Sequence, residues 1–217
     1  MKPAEARELV KELRDKSSMT ATEVKLYNKL LTKSFEDVPL IQHWVLSSAG
    51  PPNNGWTPAR WKRLHTQLKS LETDIHGAIY RGTKFPWIMG GVQTFKNLNN
   101  IQSEIDKFIQ DFDKGKEIKV TRIMPFTKDR KIAKVFASEA KGYTTKEGYT
   151  FDEGFIHIIE SAVKGVDVAK EVAKDHIKLP DSDEVAVSRR EKEVLIIPGT
   201  ILVPVKRTKR EFTWRIA

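Results

Sequence analysis

The apolar positions of this chain recur at helical spacing through its first half and alternate at strand spacing through most of the second. A stripe of Leu9, Val10 and Leu13 predicts the first helix. Thr20 with Glu23 three residues on forms a capping-box pattern, and Val24, Tyr27, Leu30 and Leu31 continue it as a second helix. Residues 37–47 read as a third. The stretch AGPPNNGWTPARW at 49–61 is a loop rich in breakers. Out of it Thr57 and Pro58 start another helix, with a cap and a proline at its first position, that carries Trp61, Leu64, Leu68 and Leu71.

The pattern changes at GAIYRGTKFP, 77–86, a short β-branched and aromatic strand ended by Gly and Pro. Helical spacing returns over 93–113, with Ile101, Ile105, Phe108 and Ile109 on one face. Strands are then expected at 117–127, 154–161, 184–188, 193–197, 200–205 and 211–216. A short helix at 129–138 interrupts them. Its Ile132, Ala133, Phe136 and Ala137 share a face, so Phe136 is expected to pack inward. There is no internal repeat and no low-complexity segment. The resulting fold class is α+β: a helical N-terminal lobe, 1–75, followed by a β-sandwich of short strands, 76–217.

Length and composition narrow this picture. A chain of 217 residues suits one domain, or one domain plus a helical extension. It contains no cysteine, which excludes disulfides and thiolate metal sites and fits a reducing cytoplasm. The N-terminal MKPAEARELVKELRDK has no apolar leader segment, and no apolar run is long enough to span a membrane. A cytoplasmic, membrane-free location is therefore expected. The net charge of +9 favours anionic partners by steering. Nucleic acid, a dinucleotide or an acidic protein surface would all qualify. The basic residues are spread along the chain with acids between them. Their densest cluster, Lys206, Arg207, Lys209 and Arg210, reads most plainly as a solubilising hairpin loop. The histidines, 43, 65, 76, 157 and 176, lack the spacing of metal ligands, so no metal is expected. His157, inside an apolar strand, reads as a core residue.

Three segments carry candidate chemistry. In SRREKEVLIIPGT, 188–200, Glu191 and Glu193 stand two apart at the start of an apolar strand. On a strand that spacing is one face, with about 7 Å between the two backbones, an arrangement whose like charges repel. The plain reading is a charged strand start in solvent. The other two segments are Tyr80-Arg81-Gly82 and PFTKDRKIAKVFAS, 125–138. Arginine, hydroxyl and Glu-x-Glu, on three strands in that order, resemble the arginine–serine–glutamate class of mono-ADP-ribosyltransferases. The closest resemblance is to the small transferases of tailed bacteriophages that modify host proteins. It covers 76–216, and the first 75 residues share with that group only their helical character.

The resemblance implies an ADP-ribosyltransferase-like fold and NAD as substrate. Transfer of ADP-ribose to an arginine of a bacterial host protein would then take place in the host cytoplasm, without metal. It implies Glu193 as the catalytic carboxylate beside the ribose, and Glu191 as the group that orients the acceptor and takes its proton. Arg81 would hold the pyrophosphate, the Gly82 backbone would meet the nicotinamide amide, and Thr127 would fix the Glu193 side chain. Ser188, Arg189 and Arg190 would face the acceptor. Pro125 stands where the class has serine, removing a hydroxyl and an N–H. Phe126 is expected to point into the core and Thr127 into the cleft. Tyr80 alternates away from Arg81 and reads as core, and Trp56 is a candidate for the adenosine side. Two other readings remain open: the same NAD site with nucleic acid or water as acceptor, and a basic nucleic-acid- or partner-binding module without catalysis.

Overall fold

The computed structural model describes residues 1–34, 58–88, 96–146, 148–173 and 192–217. The expected helix at 37–47, most of the 49–61 loop with Trp56, and the expected strand at 184–188 lie outside the described residues. The chain divides into two compact units, 1–70 with 172–186, and 71–171 with 187–217.

The first unit contains helices α1 (Pro3–Arg14), α2 (Ala21–Ser34) and α3 (Pro58–Ser70). Ala6 and Leu13 of α1 meet Leu30 of α2 in a small core, with Val10 and Tyr27 packed on it. Leu9 is 37% exposed, because positions 6, 10 and 13 define the inward stripe and 9 lies beside it. The capping box at the start of α2 forms with the two residues that signal it: Thr20 N–H donates to Glu23 Oε2 (2.8 Å), and Glu23 N–H to Thr20 Oγ1 (3.3 Å). Pro58 takes the first position of α3, and Leu64 and Leu68 are fully buried.

The second unit is built on strands β1 (Thr73–Ile75), β2 (Ile79–Thr83), β3 (Ile118–Lys119), β4 (Met124–Thr127), β5 (Phe155–Ile159), β6 (Val163–Asp167), β7 (Glu193–Ile196), β8 (Ile201–Arg207) and β9 (Glu211–Ile216). With helices α4 (Leu98–Asp113), α5 (Arg130–Ser138) and α6 (Val168–Ala173), they make a mixed α and β structure. The hydrogen-bonded order is β1-β6-β7-β4-β2-β5-β9-β8-β3, antiparallel except for β5 beside β9. Its weakest link is β2 with β4, joined at one register pair, Tyr80 opposite Thr127. On one side of that link stand β1, β6, β7 and β4; on the other stand β2, β5, β9, β8 and β3. A single core draws on both groups: Met124, Phe126, Val163, Val194 and Ile196 from one, Ile79, Phe155, Ile159, Leu202, Phe212 and Trp214 from the other. Phe112 of α4 closes it.

The run 117–127, expected as one strand, is two. Ile118 and Lys119 pair with β8, and Met124 to Thr127 pair with β7. Two successive polar residues, Thr121 and Arg122, interrupt the apolar alternation where the chain changes partners. β1 and β6, which pair with each other, were not legible: Val163 and Val166 break the period of two, and Lys164 and Gly165 stand between them.

His157 is fully buried on β5. Trp214 Nε1–H donates to its Nδ1 (3.2 Å), and Phe212 stacks on the ring at 5.5 Å. With Nδ1 accepting, the proton sits on Nε2, which finds no partner. Burial, reinforced by the Arg81 charge, lowers its pKa from 6.5 to about 3. Between these values only the unfolded chain takes up the proton, so stability falls as pH drops through the window. Urea unfolding of the wild type should lose about 2 kcal/mol between pH 7 and pH 5 through this group. His157→Gln should remove that part of the loss, and an equal loss in both proteins would rule the explanation out.

Candidate functional site

Arg81, Thr127 and Glu193 lie on three neighbouring strands, β2, β4 and β7. Tyr80 is opposite Thr127, and Thr127 is opposite Glu193. Residues directly opposite on antiparallel strands lie about 5 Å apart and share a face. Tyr80, Thr127 and Glu193 therefore form a row across the sheet. Arg81 starts from the other face of β2, where it neighbours His157.

The parting of β2 from β4 explains where the Arg81 side chain goes. β2 stays in register with β5 from Ile79 to Thr83, whereas its register with β4 is limited to Tyr80. Arg81 Nη1–H donates to the Pro125 carbonyl (2.7 Å) and Nε–H to the Ile88 carbonyl (3.3 Å). A part-buried guanidinium thus replaces the ladder bonds that the separating strands no longer make. Burial, and after it the charge of Arg122, lower its pKa from 12.5 to about 10, against the opposing pull of the Glu193 carboxylate. Arg81 is cationic at neutral pH, and it senses the charge of Glu193.

Thr127 is buried, and Phe126 beside it faces the core as expected. The Thr127 hydroxyl oxygen accepts the Asp129 N–H (3.0 Å), which shapes the turn from β4 into α5. Glu193 is half-buried at the first position of β7. Lys192 before it is left-handed, with φ 48°. The extended conformation of β7 therefore begins after Lys192. Glu191, Ser188, Arg189 and Arg190 lie outside the described residues.

Gly82 is explained by helix packing. A Cβ there would collide with the Ala133 carbonyl oxygen and stand 2.6 Å from the Ala137 nitrogen and 2.9 Å from Phe136 Cβ. The side on which the missing Cβ leaves room is thus taken by α5, and any ligand must meet Gly82 through its peptide groups. Ala133 and Ala137 bury against Ile156 and Ile158, with Tyr80 packed beside them. Phe136 does not pack inward: it is 39% exposed. Only small side chains fit the face that rests on β2, so the phenylalanine beside them turns outward. Hydrophobic periodicity puts it in the stripe; the contact with Gly82 is what sets it at the rim.

Three of the four cations of the basic cluster find partners within the fold. Arg207 makes two bonds to Asp113 (both 2.6 Å), Lys206 pairs with Glu160 (3.2 Å), and Arg210 Nη1–H donates to the Glu153 carbonyl (2.9 Å). Among the described residues no group of three or more His, Asp or Glu could hold a metal ion. Among them, too, no helix is long and apolar enough to cross a membrane.

No protein-family model matches the chain, and no curated protein matches it. Among solved structures it is similar to the ADP-ribosyltransferase HopU1 of Pseudomonas syringae pv. Tomato DC3000, at 14% identity and a TM-score of 0.37, over 97% of this chain and 64% of that one. The chain therefore spans less than two thirds of HopU1. It is also similar to Plx2a, an ADP-ribosyltransferase toxin from Paenibacillus larvae (14% identity, TM-score 0.37, 99% and 96% of the two chains). A third likeness is to the Vis toxin, an ADP-ribosyltransferase from Vibrio splendidus (15% identity, TM-score 0.34, 98% and 84%). Likenesses this slight carry no weight of their own, and the function of the chain has to be argued from its residues.

Gly82→Ala should destabilise the protein by about 1–3 kcal/mol through overpacking against α5, read as a lower urea midpoint. A midpoint within error of the wild type would mean that α5 does not press on β2.

Proposed function

We propose that the protein is a mono-ADP-ribosyltransferase. It moves ADP-ribose from NAD to an arginine of a bacterial host protein and releases nicotinamide. The observation that supports this reading is that Arg81, Thr127 and Glu193 stand on the neighbouring strands β2, β4 and β7, where β2 and β4 part. A cation and a carboxylate that sense each other beside a break in a sheet suit a substrate carrying a diphosphate at one end and developing a positive charge at the other.

In the proposed reaction the bond between nicotinamide and the ribose C1′ breaks, and its electron pair leaves with the nicotinamide. The ribose becomes oxocarbenium-like, as in glycoside hydrolysis. Glu193 faces that charge and stabilises the transition state more than the ground state. Arg81, with two of its five N–H donors engaged by carbonyls, offers the rest to the pyrophosphate. Phe136, exposed beside Gly82, presents a flat apolar surface to the nicotinamide ring. A guanidine nitrogen of the acceptor then attacks C1′ and gives up its proton. By resemblance to the arginine–serine–glutamate class, Glu191 takes that proton and Ser188, Arg189 and Arg190 contact the acceptor. The internal pairing of Arg207, Lys206 and Arg210 weighs against a nucleic-acid acceptor.

Incubation with NAD should release nicotinamide, faster with a free guanidino compound present, and host lysate should yield labelled protein resistant to nuclease. Glu193→Gln should slow release by about 100- to 1,000-fold with little change in melting temperature. Release at the wild-type rate from Glu193→Gln would defeat the assignment, and nuclease-sensitive label would move the acceptor to nucleic acid.

A further inference from the structure

The turn that leads into β7 is held by the two residues that come after Thr127. Lys128 donates its backbone N–H to the Lys192 carbonyl (3.2 Å), and its ammonium pairs with Asp167 at the end of β6. β7 lies between β4 and β6, so this ion pair spans the start of β7. Besides the helix bond from Ala133 N–H to its carbonyl, Asp129 makes three bonds. Its N–H donates to Thr127 Oγ1 (3.0 Å). Oδ1 caps α5 by accepting the Lys131 N–H (2.9 Å), and Oδ2 accepts from Lys192 Nζ (3.4 Å). The Lys131 N–H, then the Lys192 ammonium, hold its carboxyl below the usual carboxylate range, against the effect of burial. Lys192 is the one non-glycine residue with positive φ among those described. A side chain in that conformation costs about 1 kcal/mol and persists where its surroundings impose it.

We propose that Asp129 is a positioning residue for Glu193. Its carboxylate ties the left-handed Lys192 to the turn that follows Thr127, and so sets the direction in which Glu193 starts β7. The consequence for catalysis rests on the reading that Glu193 acts on NAD; the tie itself does not. The two carboxylate oxygens have separable tasks, one capping the helix and one holding Lys192. Asparagine keeps the cap and the backbone N–H and loses the charge that attracts Lys192.

The test compares Asp129→Asn, Lys192→Gln and the double variant with the wild type. Each single variant should lower kcat for nicotinamide release by about two- to fivefold, the range of an exposed ion pair. KM for NAD and the melting temperature should be unchanged, and the double variant should be no slower than the worse single. Hydrogen exchange at the Lys128 amide, which bonds the Lys192 carbonyl, should accelerate in Asp129→Asn whether or not NAD is turned over. Unchanged Lys128 exchange overturns the tie. Faster exchange with unchanged kcat, or effects of the two substitutions that multiply, overturns its role in positioning. A wild type that releases no nicotinamide overturns the enzymatic reading, and Lys128 exchange then decides the tie alone.

Discussion

The second unit depends on how two strands separate. β2 keeps five residues in register with β5 but one with β4, so its far end leaves the ladder. Parting strands inside a fold expose peptide carbonyls, and a buried carbonyl without a donor costs about 1–3 kcal/mol. Pro125 sharpens the problem, because a proline has no N–H to offer across the gap. Arg81 supplies the donor from outside the ladder, reaching the Pro125 and Ile88 carbonyls with two N–H groups. A cation is thereby drawn into a half-buried place, and Glu193 on the next strand but one offsets part of that cost.

The packing of α5 is tied to the same separation. The helix lies so close to β2 that position 82 tolerates no Cβ and the contacting helix positions are the alanines 133 and 137. That closeness has two further effects. Phe136, too large for the contact, is left at the surface. The helix start, capped by Asp129, comes within reach of both Thr127 and Lys192. One packing event thus explains a glycine, an outward phenylalanine and the footing of the turn before Glu193.

Much of this was legible in the pattern of residues. β9 and α5 lie where their periodicity puts them, and the capping box of α2 forms with the two residues that signalled it. Each of these signals is local, and its meaning does not depend on what the segment packs against. The readings that shifted depend on distant neighbours. The change of partners within 117–127 is marked only by two successive polar residues, Thr121 and Arg122, which do not say which strand each half joins. Phe136 and Leu9 sit at the edge of a stripe, where only the neighbouring element decides which way they face. The left-handed conformation of Lys192, just before Glu193, is one that lysine does not advertise. In the candidate site, the order of arginine, hydroxyl and acid was readable; the sheet opening that lets Arg81 turn toward β4 was not.

The site residues differ in how far fold and chemistry can be separated in them. Arg81 closes a broken ladder, Gly82 admits a helix, and the Thr127 hydroxyl shapes a turn. Replacing any of them disturbs structure before it disturbs a ligand, so lost activity in such variants has two explanations. Glu193 is placed by its backbone, through the register of β7 with β4, and that register survives a neutral isostere. Under the proposed function its carboxylate also has a charge requirement that the fold alone does not impose. In the proposed reaction, nicotinamide leaves as a neutral molecule and its positive charge passes to the ribose, which a fixed anion stabilises more as the bond breaks than before. In the proposed function a cation for the diphosphate and an anion for the ribose, set on β2 and β7 with β4 between them, would meet that need.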